Sequence, residues 1–302
     1  MIDEIKIIAA KFYKKNIDLA VLNKDNPFRF YKLNESPVKD LKAENNIKNV
    51  NNEIKKYLDI LLKENTNEQN KLILRNIESL KIKNKIGKNN AYYVPFNNTI
   101  YLNRNMKESL PHEIIHVASS YKTKDVIYSG FCQLTKKGNI GIGLNEGFTE
   151  LFNKEIFKEK GLSGYSLFEV DVAKEIRKLL GKENVKTLYF NADLVGLSKC
   201  LLKYDTKENI VSFIKDLDFI NENFIYSNVI KEKMLNIYLT LYKWKVIKLN
   251  NLYKENKITK DEYEVLVLDN SKIYPSKLIT LLNTIEPITN EMKEEVRRSI
   301  KW

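Results

Sequence analysis

The chain contains only two histidines, and both fall within five residues, His112-Glu113-Ile114-Ile115-His116. Side chains four positions apart become close neighbours on one face in an α-helix, one turn apart, whereas a strand would hold them well apart. Two unrelated helix histidines would have no reason to occupy a single turn with a glutamate between them. The spacing predicts a helix with the imidazole face turned to something that uses both rings, against the plainer reading of two ordinary helix histidines. A start near Ser109 or Leu110 fits, because Pro111 then lies in the first turn, where its missing N–H would have had no helical partner.

Around this helix the periodicity divides the chain into three regions. Residues 1–89 read as mainly helical, with Ile54, Leu58, Leu61 and Leu62 at helical spacing among Asn and Lys. Residues 90–165 read as mixed. Ala91–Val94 and Thr99–Leu102 are short β-prone runs joined by the turn chemistry of Pro95–Asn98, which predicts a hairpin. Val126–Leu134 and Ile140–Ile142 predict a second hairpin about Lys136–Asn139. A further helix opens near Asn145, with that residue as its cap. Residues 166–302 read as almost wholly helical, with stripes at Ile210, Phe213, Ile214, Leu217 and at Leu235, Tyr238, Leu239, Tyr242. Gly138, Gly141 and Gly143 lack G-x-G-x-x-G spacing and read as hairpin punctuation, and Gly87-Lys88 lacks the rest of a phosphate-binding loop. The expected fold class is α+β.

The chemistry implied by His112 and His116 is chelation of one metal ion, with Glu113 beside them as a general base for a water that the metal activates. A catalytic zinc needs a third protein ligand and an open position. The segment GLNEGFTE, Gly143–Glu150, supplies the next candidate, Glu146. Glu150, one turn later on the same face, is placed to accept the N–H of a ligating imidazole, which fixes its tautomer and raises its basicity.

HEIIH followed by LNEGFTE resembles the gluzincin metallopeptidases, whose signature is HExxH plus a downstream glutamate ligand in a short Asn-Glu motif. Leu144–Glu150 is similar to the corresponding segment of zinc aminopeptidases, and Glu150 matches the acidic position of thermolysin-like enzymes that supports an imidazole. The resemblance covers roughly Tyr92–Phe152. It implies a zincin-like catalytic core at 90–165, one Zn2+ per chain held by His112, His116 and Glu146, and Glu113 as base in peptide hydrolysis. Helical regions on either side would close the cleft. In zincins an edge strand above the active-site helix pairs with an extended peptide, and Thr99–Asn103 is the candidate for it. The chain departs from the family in three ways. The interval between His116 and Glu146 is longer, no Gly-x-Met-Glu-Asn segment lies upstream, and no third histidine remains to stabilise an oxyanion. A tyrosine would take that role, and Tyr189 and Tyr204 are both at suitable distances.

Two other readings compete. One is a zinc-stabilised regulatory or binding protein without an open cleft. The other is a nucleic-acid-associated protein, suggested by a net charge of +12 and by Lys243, Lys245 and Lys248 interleaved with Tyr242 and Trp244. The lysines are scattered over the whole chain and no nucleic-acid recognition motif is present, so a peptide or protein substrate is the expected partner. Cys132 and Cys200 form neither a CxxC pair nor a disulfide framework. No signal-like apolar core and no run near the roughly 18 apolar residues of a membrane span is present. Together these features lead to the expectation of a cytoplasmic protein.

Overall fold

Apolar residues at helical spacing need a second surface to bury against, and the two helices that precede the first sheet find it in the helices that follow. The structure, a computed structural model, describes residues 52–78, 80–85, 91–103, 109–123, 125–135, 138–158, 167–223 and 228–285. The helical expectation for residues 1–51, the Gly87-Lys88 pair and both region boundaries lie outside these. Helices α1 (Asn52–Glu64) and α2 (Asn67–Glu78) lead into a three-stranded sheet of β1 (Lys81–Lys85), β2 (Tyr92–Val94) and β3 (Thr99–Asn103). Helix α3 (Leu110–Ala118) follows. A four-stranded antiparallel meander comes next, β4 (Ser120–Lys122), β5 (Val126–Ser129), β6 (Cys132–Thr135) and β7 (Gly138–Ile140). The remaining described chain is helical: α4 (Ile142–Phe157), α5 (Leu167–Leu180), α6 (Lys182–Phe190), α7 (Leu194–Leu201), α8 (Lys207–Glu222), α9 (Asn228–Lys254) and α10 (Lys260–Ile285). Helix and sheet are thus mixed as expected of an α+β chain.

The expected first hairpin forms, with Tyr93 opposite Ile100. Beyond it, β1 pairs in parallel with the other side of β3, giving the order β1-β3-β2. Thr99–Asn103 is therefore the central strand, not an edge. Among the described residues β2 is the outer strand on the side of α3, with which it is in contact.

The second hairpin is more finely divided than the sequence suggests. Val126–Leu134 is two strands that reverse at Gly130, whose φ of +50° is a left-handed turn conformation. An added Cβ would also come within 2.3 Å of Asn145 Oδ1 and 2.4 Å of the Tyr189 ring. The β6–β7 connection falls at 136–137, outside the described residues, and Gly138 already belongs to β7. Ile142 is not strand but the first residue of α4, so this helix opens three residues earlier than Asn145.

Its N-cap position is Gly141, which offers no side chain. Asp218 of α8 does the capping from a distance, accepting the N–H of Gly141 at 2.8 Å and of Gly143 at 2.9 Å. That approach depends on Gly143, because an added Cβ would stand 2.5 Å from the Leu217 carbonyl oxygen.

One hydrophobic cluster runs from Ile54 in α1 to Trp244 in α9 and joins all three regions. Ile54, Leu58 and Leu61 are buried as their spacing implies, and so are Ile210, Phe213, Ile214 and Leu217. On α9 the buried stripe is Ile230, Met234, Ile237, Leu241 and Trp244, offset from the expected one, of which Tyr238 and Tyr242 are buried and Leu235 and Leu239 only partly.

Candidate metal centre

Helix α3 is buried along its whole length. Its end is fixed by side chains that bond its last carbonyls. Ser120 Oγ donates to the His116 carbonyl at 2.6 Å and Ser119 Oγ to that of Ile115 at 3.0 Å. From α2, Asn76 Nδ2 donates to the Val117 carbonyl at 2.9 Å and to that of Ser120. Such bonds satisfy carbonyls that a helix terminus leaves without an intrahelical partner.

Helix α4 lies across α3 and brings Glu146 between the two imidazoles. Glu146 Oε2 is 3.3 Å from His112 Nε2, and Oε1 is 3.4 Å from His116 Nε2. The two Nε2 atoms are 3.1 Å apart. His112, His116 and Glu146 each offer one donor atom, and these atoms lie within 4.8 Å of one another, so the group can hold a metal ion. The Glu146 side chain is 25% exposed while that of His112 is 2% exposed, so of these two it is the glutamate that solvent reaches.

Both rings are occupied on the opposite side. His112 Nδ1 meets Glu150 Oε2 at 3.1 Å. Glu150 is itself held by Asn153 Nδ2 at 3.1 Å and paired with Lys154 at 3.1 Å. His116 Nδ1 lies 3.3 Å from Thr149 Oγ1 and 3.1 Å from the Asn145 side-chain amide. An imidazole whose Nδ1–H is taken by an acceptor presents the bare lone pair of Nε2. Donors and supports together thus fit an ion with a preference for nitrogen and carboxylate oxygen.

Glu113 stands beside this group but outside it. It is 3% exposed and accepts the Tyr93 backbone N–H from β2 at 2.7 Å through Oε2. Burial raises its pKa above the usual carboxylate range, and the two histidines only partly offset that. For His112, burial disfavours the charged ring, yet hydrogen bonds to Glu146 and Glu150 and the charge of Glu113 outweigh it and raise the pKa to about 9. Glu146 moves the opposite way. Burial opposes its ionisation, but the charge of His116 and the bonds to both histidines hold it well below the usual range.

Every residue that the sequence marks for the site, His112, Glu113, His116, Glu146 and Glu150, is brought to one place. The tyrosines considered for an oxyanion are not. Tyr189 is fully buried, and its hydroxyl meets Thr149 Oγ1 at 2.6 Å, on the Nδ1 side of His116 and away from Nε2. Tyr204 packs against the hydrophobic core near Cys200. Asn145, expected as a helix cap, is instead inside α4 with its amide on His116. Asn76, Tyr93, Thr149 and Asp218 escape sequence reasoning because each acts through a contact between elements that no local pattern records.

Four of the residues behind the nucleic-acid reading, Tyr242, Lys243, Trp244 and Lys248, are committed to contacts within the fold. Trp244 is fully buried and donates its indole N–H to Asp205 at 2.8 Å, and Tyr242 is buried. Lys243 pairs with the same Asp205 at 3.3 Å, and Lys248 donates to the carbonyls of Lys178 and Leu179 at 2.9 Å. These aromatics offer no open stacking platform. No helix among the described residues is long and apolar enough to cross a membrane. Compared with known proteins, the chain matches no family model, and neither a curated protein nor a solved structure shows a significant likeness.

Proposed function

We propose that the chain is a zinc-dependent metallopeptidase of the gluzincin type, with a zincin-like core within 90–165. The observation that carries this reading is the position of Glu113. A buried carboxylate on the same turn as two chelating histidines, yet outside the donor group itself, is what a general base beside a metal requires. The donor set of two imidazoles and one carboxylate suits zinc with an open position. Zinc bound there would polarise a carbonyl and lower the pKa of a water towards neutrality.

The remaining steps belong to the chain. Glu113 takes a proton from the attacking water and delivers it to the amide nitrogen as the peptide bond breaks. The Tyr93 N–H holds one carboxylate oxygen of Glu113 and so orients the other. Since β3 is paired on both sides, the strand placed to pair with an extended peptide is β2, Tyr92–Val94, not Thr99–Asn103. Glu150, Thr149 and Asn145 fix the two rings from behind.

Glu113→Gln keeps the shape and the hydrogen bond from Tyr93 but cannot carry the proton. Zinc content of the purified variant should match wild type, while cleavage of a broad peptide library falls by several orders of magnitude. Cleavage at the wild-type rate by the zinc-loaded variant would remove Glu113 from the chemistry. A wild-type protein that binds zinc and cleaves nothing would favour the regulatory reading.

A further inference from the structure

Of the two histidines, His112 has the expected carboxylate behind it, while His116 has none. What stands behind His116 is a chain of neutral groups that begins on another helix. Thr149 Oγ1 is 2.6 Å from the backbone carbonyl of Asn145, one turn earlier on α4. A carbonyl can only accept, so the Thr149 hydroxyl proton goes to it. With that proton committed, the 2.6 Å contact to the Tyr189 hydroxyl, which also bonds Ser119, has Tyr189 as its donor. The Thr149 oxygen is left as an acceptor, and His116 Nδ1 lies 3.3 Å away. Asn145 agrees with this protonation only with its amide turned from the orientation shown. Its Oδ1 is buried without a partner while its Nδ2 faces His116 Nδ1 at 3.1 Å. The amide turned by 180° places Oδ1 on that nitrogen and moves Nδ2 to the position without a partner, so the assignment of the proton rests on Thr149 and Tyr189.

We propose that Thr149, oriented by Tyr189 of α6, is a positioning residue that holds His116 with its proton on Nδ1 and leaves Nε2 bare towards Glu146. The inference rests on the metal-binding reading of the site and extends it to a helix outside the histidine and glutamate segments. Its physical content is that a hydroxyl polarised by a second hydroxyl does for His116 what the Glu150 carboxylate does for His112. Tyr189 earns its burial through its ring as well, packing edge-on against Phe131 with ring centroids 5.4 Å apart, so the hydroxyl must be tested apart from the ring.

The experiment is a zinc titration of the full chain against a chromogenic chelator, with circular dichroism as the check on folding. Thr149→Val keeps the volume and removes the hydroxyl, and zinc affinity should fall by roughly 10–100-fold. Thr149→Ser restores the hydroxyl and should return the affinity to near wild type. Tyr189→Phe should weaken binding in the same direction but less. The double variant should be no weaker than Thr149→Val alone, because Tyr189 acts through Thr149. Wild-type affinity in folded Thr149→Val would overturn the proposal while leaving the metal site intact. If Thr149→Val does not fold, Tyr189→Phe decides, and unchanged affinity there overturns it. A wild-type chain that takes up no zinc would bring down the metallopeptidase reading and this proposal with it.

Discussion

At the residue scale the decisive distinction lies between Glu146 and Glu150, two carboxylates one turn apart on α4. Either could face a metal on spacing alone. The structure separates them, with Glu146 between the two Nε2 atoms and Glu150 behind His112 at Nδ1. Glu146→Ala removes one of three donors, so zinc retention on dialysis should collapse. Glu150→Ala leaves all three and should weaken affinity by roughly 10–100-fold. Parallel dialysis of both variants with metal analysis gives the order, and the reverse order would reassign the ligand. The five site residues were legible in the sequence because helical spacing converts directly into a shared face. Thr149 was equally visible as a letter in GLNEGFTE, but its role depends on Tyr189 of another helix. No local spacing encodes that meeting.

Elements carry the next layer of information, and here the chain's own boundaries are instructive. The sequence reading begins α4 at Asn145 because asparagine is a good N-cap, whereas the helix begins at Ile142 with its cap supplied by Asp218 of α8. Tertiary capping replaces local capping, and Gly143 allows it by letting the Leu217 carbonyl come close. Burial pushes Asp218 up from 3.8 to about 7, against the amides of Gly141, Ile142 and Gly143, with Glu222 adding to the rise. Cys132 lies near enough to feel its charge. An acid whose pKa is higher in the folded chain holds its proton more tightly there. Its contribution to stability is thus complete below about 4 and is lost as pH rises towards about 7. Asp218→Asn should therefore gain on wild type between pH 4 and pH 8 in urea denaturation. A stability difference that does not change with pH would show that Asp218 is not titrating there. Likewise, the break in Val126–Leu134 was hidden because its β-prone residues run on through the turn, with Gly130 alone marking the reversal.

On the scale of the whole molecule, one core spans regions that periodicity alone presents as separate. Trp244 is far from the metal group in sequence, yet it is fully buried and packs on Phe213 of α8, the helix that bears Asp218. Trp244→Ala should cost about 3–5 kcal/mol. Because the cluster is continuous, the loss should appear in the single transition that also releases bound zinc, followed by fluorescence and metal release on the same denaturant series. Two separated transitions would divide the core. The overall class was readable from apolar spacing, but the joining of α1 to α9 was not, since pairings between distant elements leave no mark in either one. The turn at Gly130 shows how far such joining reaches. It sits in a sheet that contributes no donor, yet Asn145 and Tyr189 press on it from two helices. A methyl group there would collide with both, and both stand on the Nδ1 side of His116. Substitution at this turn would therefore be felt by the groups that hold an imidazole on another element, although Gly130 itself offers no donor to the candidate site.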